Sequence, residues 1–529
     1  MQISARLLRV VAILLAALLP RCAGHHADSS GVIGSARGGD DRPSPPCSPA
    51  DRAALLGFKA GVAVDTTGIL ATWAGGDCCG AWEGVTCDAA TGRVVALRLE
   101  APPPNGGARR YMQGALSPSL GGLEFLESLV VRDMARIGGA IPPALARLAR
   151  LRQLYLEGNM LSGPVPGSLG GLRSLQYLSL AGNRLDGQLP PELGALSGLE
   201  QINFARNRLS GAVPPSYVNL SRLAYLDLGS NLFSGAMPGF LGQFRNLALL
   251  DLSNNSFSGE IPASLYTLRS LTDLSLSHNK IVGQIPPQMG ILRSLNSLAM
   301  DGNMLVGSIP ASLLGLQKLW YLNLSGNGLS GPLPTGAGTG NALPSLVSMD
   351  LSRNRLTGDI AQLFRSLSTA ASHSNRTTSP QVVLAQKLEH LDVSENRITG
   401  ALPDFARGAG LRWLDISGNA IGGQIPSSVS KLSGLERLDM SRNRVRGTIP
   451  ASMAEMVRLR WLDVSRNELV GRIPDNFTRL TGVRHASFRG NRLCGQIPQA
   501  KPFNLFRAAA YAHNLCLCGK PLPPCRKIG

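Results

Sequence analysis

The sequence predicts an α/β solenoid, one stack of short strand-and-turn units, in place of the two or three globular domains that 529 residues would ordinarily form. Three observations predict it. An asparagine recurs every 24 residues from Asn159 through Asn183, Asn207, Asn231, Asn255, Asn279 and Asn303 to Asn327. It continues, less evenly at first, at Asn354, Asn396, Asn419, Asn443, Asn467 and Asn491. One frame surrounds each asparagine, LxxLxLxxNxLxGxIPxxLxxLxx, as in LALLDLSNNSFSGEIPASLYTLRS over 247–270. Finally, 61 glycines and 35 prolines are too many for a helical enzyme, while the leucine periodicity excludes disorder.

This period with this pattern is that of the leucine-rich repeat. In xLxLx the side chains alternate, so the two leucines point into the solenoid and their neighbours point out. One repeat cannot bury its leucines alone; stacked neighbours make a continuous core. The asparagine is expected to turn inward and bond the backbone of the bend, so its loss would leave buried groups unpaired at about 1–3 kcal/mol. The glycine four residues later permits the next bend, and Ile-Pro fixes an extended flank.

The ends are read as follows. Arg6 and Arg9 precede the apolar run Val10–Leu19, with small residues at Cys22 and Gly24, so 1–24 is a signal peptide and the chain is secreted. Residues 25–46 form a polar, disordered leader. Residues 47–92 form an N-terminal cap, 93–492 the repeats, and 493–529 a C-terminal cap. CSPADRAALLGFKAGV (47–62) predicts a helix with Ser48 as N-cap, Pro49 in the first turn, and Leu55, Leu56 and Phe58 on one face. Cys47, Cys78, Cys79 and Cys87 staple this cap, and Cys494, Cys516, Cys518 and Cys525 the other. Adjacent Cys78 and Cys79 do not pair with each other, which leaves two connectivities open at the N-terminal end. The secretory route argues against a metal at these thiols, and no cofactor is implied. No second apolar stretch is long enough to span a membrane.

The polar segment 366–386 interrupts the array and reads as a surface loop. Glycosylation sequons stand at Asn219, Asn254, Asn323, Asn375 and Asn476. Asn323 faces outward in YLNLSGN, where a glycan would crowd the middle of the sheet and press a large ligand toward one end.

The net charge of +18 favours acidic partners. The outward slots give the candidate partner-binding residues: Tyr155, Tyr177, Tyr225 and Tyr321, then His390, Arg412, Trp413, Arg437, Arg460, Trp461, Arg484 and His485. Neighbouring strands lie about 4.8 Å apart, so these are expected to line up as one lateral stripe. Beside it run Asp392, Asp415, Asp439 and Asp463. Arginine recognises carboxylates and tryptophan offers flat apolar contact, which makes the stripe a binding surface. The competing account is a solvated face of Arg–Asp pairs and cross-strand aromatic packing. Carboxylates at strand spacing suggest a glycosidase. However, Asp227, Asp251 and Asp350 fill the same slot, so the residue belongs to the repeat, and no catalytic residue is assigned. The secretory signal argues against nucleic acid.

The GxIP repeat, with W…DCCGAWEGVTC from Trp73 to Cys87, resembles plant extracellular leucine-rich-repeat proteins. NRLCGQIPQAKPFNLFRAAAYAHNLCLCGKPLPPC (491–525) is similar to the end of polygalacturonase-inhibiting proteins. CSPADRAALLGFKAG and YMQGALSPSLGGL resemble secreted plant proteins carrying a DNA-damage-repair/toleration name, although no nuclease constellation is present. The resemblance implies the pairings Cys47–Cys78, Cys79–Cys87, Cys494–Cys516 and Cys518–Cys525. It implies a right-handed curved superhelix of the plant-specific 24-residue type that binds partners on its concave sheet in the apoplast or cell wall. The partner would be a wall-degrading enzyme or a pectin-like polyanion, with arginines on carboxylates and Trp413 and Trp461 on sugar rings. The alternatives are a recognition subunit that partners a membrane receptor kinase and, third, a structural wall protein. Related peptide receptors use two arginines in alternate outward slots of one strand, a pair this chain lacks.

Overall fold

The computed structural model describes residues 45–101, 110–335, 342–368, 381–382, 384, 387–407 and 410–525. The signal peptide, nearly all of the leader, Asn375 and the centre of the 366–386 segment lie outside them.

The leucine frame produces an open parallel ribbon. It starts at Val94–Glu100, with Val85–Cys87 paired antiparallel on its outer edge. Each later repeat adds a strand of about three residues in unbroken register: Arg437–Asp439 pairs with Trp461–Asp463, and that strand with His485–Ser487. The middle residue of each strand, such as Leu438 or Leu462, is fully buried, while those on either side face out. After the bend, an apolar residue and proline (Leu189-Pro190, Ile449-Pro450) lead into a five-residue 3-10 helix on the opposite side, as at Pro191–Ala195 and Ala451–Glu455. Proline supplies the first-turn φ, and an inward large apolar or aromatic side chain, most often leucine or methionine, closes the core. Short strands such as Leu232–Ala236 and Ser256–Gly259 add small parallel sheets on the flank.

The asparagines form the expected internal ladder. Asn279 Nδ2 donates to the carbonyls of Leu252 (2.9 Å), Leu276 (3.1 Å) and Ser277 (3.2 Å), and its Oδ1 accepts from Phe257 N–H at 2.9 Å. Each asparagine thus ties its own bend to the preceding repeat. Asn159 is the exception: its Oδ1 has no hydrogen-bond partner. The ladder also runs one step further than the sequence reading gave, to Asn514, which accepts from Leu493 and donates to Phe488 and Tyr511.

Both caps are stapled, with disulfides Cys47–Cys78, Cys79–Cys87, Cys494–Cys516 and Cys518–Cys525. The N-terminal helix is Pro49–Ala60, with Leu55 and Phe58 buried and Leu56 half-buried. Ser48 occupies the N-cap without a side-chain cap bond. The anchoring polar group is instead Asp51, fully buried, which accepts from Arg93 Nε (2.9 Å), Arg93 Nη2 (3.0 Å) and Val94 N–H (2.8 Å). Trp73 and Trp82 stack at 5.4 Å inside this cap, so two of the five tryptophans are structural.

At the break in the array an α-helix, Ile360–Ser366, replaces the usual 3-10 turn, capped by Asp359. Val382 and Leu384 are buried, and Val382 bridges to Phe405, so the segment re-enters the core before its predicted end at 386. Among the described residues no helix is long and apolar enough to cross a membrane.

Candidate binding surface on the concave sheet

The unbroken register sorts the outward side chains into columns. One column runs Gln153, Tyr177, Gln201, Tyr225, Leu249, Asp273, Ser297, Tyr321, Ser348, His390, Trp413, Arg437, Trp461 and His485. A second holds Tyr155, Ser179, Asn203, Asp227, Asp251, Ser275, Ala299, Asn323, Asp350, Asp392, Asp415, Asp439, Asp463 and Ser487. Arg412, Arg460 and Arg484 precede their strands and form a third column along the rim, with Glu389 and Glu436 between and beside them. The single expected stripe is therefore two parallel ones.

The structure brings five of the predicted residues into contact. His390 and Trp413 lie 6.2 Å apart, and Trp461 and His485 stack at 3.6 Å with 15° between planes. Arg437 lies between the tryptophans, its guanidinium carbon 4.6 Å from the Trp413 ring and 4.3 Å from the Trp461 ring. Its Nη2 is 3.5 Å from both Asp415 and Asp439. The result is a ladder in which Arg437 lies between two tryptophans, with His485 stacked on one and His390 tilted beside the other.

This arrangement bears on two expected roles. Arg437 is already engaged by two buried aspartates. Arg437 and the stacked His485 lie on either side of Trp461, whereas Trp413 has Arg437 over its ring and His390 tilted 43° beside it. The tyrosines are not assembled. Tyr155 lies in the second column beside Ser179 and is only 7% exposed, with the Arg132 guanidinium 5.3 Å from its ring. Tyr177 donates to Glu200 at 3.1 Å and Tyr225 to Asp227 at 3.4 Å, while Leu249, Asp273 and Ser297 separate Tyr225 from Tyr321.

The second column explains the repeated aspartates. Each accepts the N–H two residues on with Oδ1: Ser352 on Asp350, Ser394 on Asp392, Ser417 on Asp415, Ser441 on Asp439 and Ser465 on Asp463. They fasten the strand to its bend, which is a structural role repeated with the motif. Burial, and then neighbouring carboxylates, raise the proton affinity of Asp350, Asp392, Asp415 and Asp463. Burial, then the neighbouring Asp350 and Asp415, push Asp392 up to about 7. Burial and the neighbouring Asp251 push Asp227 up to about 7. Burial also raises Asp463, against the pull of bonds to Ser465 and of His485, whose Nε2 is 3.8 Å away.

The rim column carries the accessible cations. Arg412 is shared between Glu436 at 3.4 Å and Glu389 at 3.9 Å. Arg460 and Arg484 are exposed and form no ion pair among the described residues. Arg458, which an inspection of strand slots alone passes over, joins Arg412, Arg460, Glu436, Val457 and Gly482 around a shallow depression of about 450 Å³. An adjoining depression of about 420 Å³ shares Arg412, Val457 and Arg458, and Val457 is 64% exposed. Arginines beside an exposed apolar side chain suit an acidic ligand with an apolar neighbour. The sulfurs of Cys47, Cys78 and Cys79 lie close together, but all three belong to disulfides.

The model of the leucine rich repeat N-terminal domain matches residues 48–88, and leucine rich repeat models match 126–185, 221–281, 318–339, 345–367, 387–408 and 409–469. The chain belongs to the plant extracellular leucine-rich-repeat proteins. As an LRR protein it is secreted and of the binding kind. It is 39% identical over 121 residues to the DNA damage-repair/toleration protein DRT100 of Arabidopsis thaliana, an alignment covering 22% of this chain and 32% of the relative. It is 36% identical over 111 residues to a polygalacturonase inhibitor of Vitis vinifera, covering 21% and 30%. These alignments span about a third of the relatives' own length. Among solved structures, the plant peptide hormone receptor RGFR1 in complex with RGF2 superposes with a TM-score of 0.61 at 25% identity, over 76% of this LRR chain and 73% of that one.

Proposed function

We propose that this LRR protein is an extracellular recognition protein that binds an acidic peptide or protein segment along its C-terminal concave strands and rim. The observation that carries the reading is the placement of Arg458, Arg460 and Arg484. They are exposed, without ion pairs among the described residues, and stand beside a rigid ladder that holds its own charges internally. The likeness to a peptide hormone receptor supports a receptor-like role over enzyme inhibition. Binding of pectin through sugar stacking is less favoured, because both tryptophans are flanked by their neighbours on the sheet.

The test is affinity capture from plant extracellular fluid with the wild-type chain beside an Arg458→Ala, Arg460→Ala, Arg484→Ala variant. These side chains support no packing, so the variant folds. A protein or peptide retained only by the wild type, and released by added salt, supports the proposal. Equal retention by both overturns it, and a retained pectin in place of a polypeptide returns the wall-polymer reading.

A further inference from the structure

We infer that Asn323 carries an N-linked glycan whose first sugar rests on Tyr321 and closes the middle of the concave sheet. Asn323-Leu324-Ser325 is a sequon on a concave strand, Tyr321–Asn323. In this slot many repeats, including the following one at Asp350, carry an aspartate that uses one oxygen for the bend. Asn323 reproduces that function with Oδ1 alone, which accepts from Ser325 N–H at 3.0 Å and Ser325 Oγ at 2.8 Å. Its Nδ2 is left with a single long contact, 3.4 Å to the Tyr321 hydroxyl. By contrast, Asn279 commits Nδ2 to three carbonyls, and Asn476 donates its own to Ala451 at 3.0 Å. Asn323 therefore loses no bond of the bend when Nδ2 is substituted.

The surroundings suit a sugar. Asn323 itself pairs with the small Ala299 on the preceding strand and with Asp350 on the following one, while Ser297 and Ser348 flank Tyr321. Tyr321 lies two residues before Asn323 on the same face, half-buried, and its ring packs 5.7 Å from Trp320. A fixed aromatic plane beside the attachment nitrogen gives the C–H face of the first sugar an apolar seat. In the reaction, Nδ2 attacks the anomeric carbon of a lipid-diphosphate-linked oligosaccharide. The N–C bond forms, the carbon–oxygen bond to the lipid diphosphate breaks, and the amide gives up one proton. The glycan would then wall off the strands from His390 onward, a consequence that rests on the proposed binding surface, whereas the glycan itself does not.

The test uses the full chain secreted from plant cells, with glycans released by a plant-active amidase in heavy-oxygen water and the peptides mapped by mass spectrometry. The expected result is labelled aspartate at 323, lost in Ser325→Ala and retained in Ser325→Thr. Release from the native protein should be slower at 323 than at the exposed Asn219, and Tyr321→Ser should accelerate it. An unlabelled Asn323 in a chain labelled at Asn219 overturns the site. Release as fast as at Asn219, unchanged by Tyr321→Ser, overturns the seat. Should Ser325→Ala fail to fold, Asn323→Asp supplies the residue that the following repeat carries at Asp350 and gives the unglycosylated control. Ligand capture is read separately, so loss of the binding proposal leaves this result standing.

Discussion

The strands from Leu249–Asp251 to Ser297–Ala299 and those from His390–Asp392 to His485–Ser487 share one scaffold and differ in what they present. Both bury the middle residue of each strand, leucine everywhere except Ala486, and both hang on asparagines such as Asn279 and Asn467 with the same four-bond pattern. On the outside, the first set offers Leu249, Asp273 and Ser297, with no aromatic or arginine in its column. The second offers a row of five ring and guanidinium side chains in contact, from His390 to His485. Because strand side chains alternate, the inner residues set stability and the outer ones are free to vary repeat by repeat. The two sets therefore differ in outer-face chemistry on one shared inner scaffold.

The largest effect should be blind to that difference. Asn279→Ala in the first set and Asn467→Ala in the second each strand a buried N–H and several carbonyls, at about 3 kcal/mol by the penalty for unmet hydrogen bonds. Denaturant unfolding should show equal losses; unequal losses would break the claim of one shared scaffold. Next in size, Trp461→Ala removes the plane between Arg437 and His485 and should cost about 2 kcal/mol, from lost packing and cation–π contact. Leu249→Ala, at a half-buried position with no such stack, should cost less than half of that in the same experiment.

Titration sharpens the comparison further. Asp227 and Asp392 are raised to about 7 in the fold, above about 3.9 for an unfolded aspartate, so the folded chain binds more protons between those limits. Stability contributed by these groups is therefore gained as pH falls from about 7 toward 4, and the melting temperature should be higher at pH 5 than at pH 7.5. Asp227→Asn should raise the pH 7.5 value and flatten the profile, since its main neighbour is another carboxylate, Asp251. Asp415→Asn should not stabilise in the same way, because it takes a partner from Arg437. A melting temperature that falls on acidification to pH 5 would refute the crowded-carboxylate account.

The repeat, both caps and the outward slots were legible in the sequence because each is a local, periodic signal: the spacing of asparagine fixes the register, and the register fixes which residues face out. Four features were not. Asn514 escaped because the cap abandons the leucine frame that marks the other asparagines. The burial of Tyr155 escaped because alternation says which side a residue faces, not how closely Arg132 covers it. The mutual engagement of Trp413, Arg437 and Trp461 depends on rotamers across three strands 24 residues apart, information no single repeat contains. Arg458 escaped because it lies before the strand, where the chain turns onto the rim.

The smallest effect on stability should accompany the largest effect on recognition. Arg460 is exposed and forms no ion pair among the described residues, so Arg460→Ala should change unfolding free energy by less than about 0.5 kcal/mol. If the rim binds a carboxylate, the same change should weaken ligand retention about tenfold or more, with a shallower salt dependence, since an arginine–carboxylate bond in an interface contributes about 1.5–3 kcal/mol. Arg437→Ala gives the opposite pair of results. It frees Asp415 and Asp439 from their shared cation and opens the stack, so it should destabilise the fold measurably while leaving the rim arginines in place. Measuring both variants by melting and by retention separates a ladder that builds the surface from a rim that uses it. If Arg460→Ala alters stability and spares binding, the two roles are reversed.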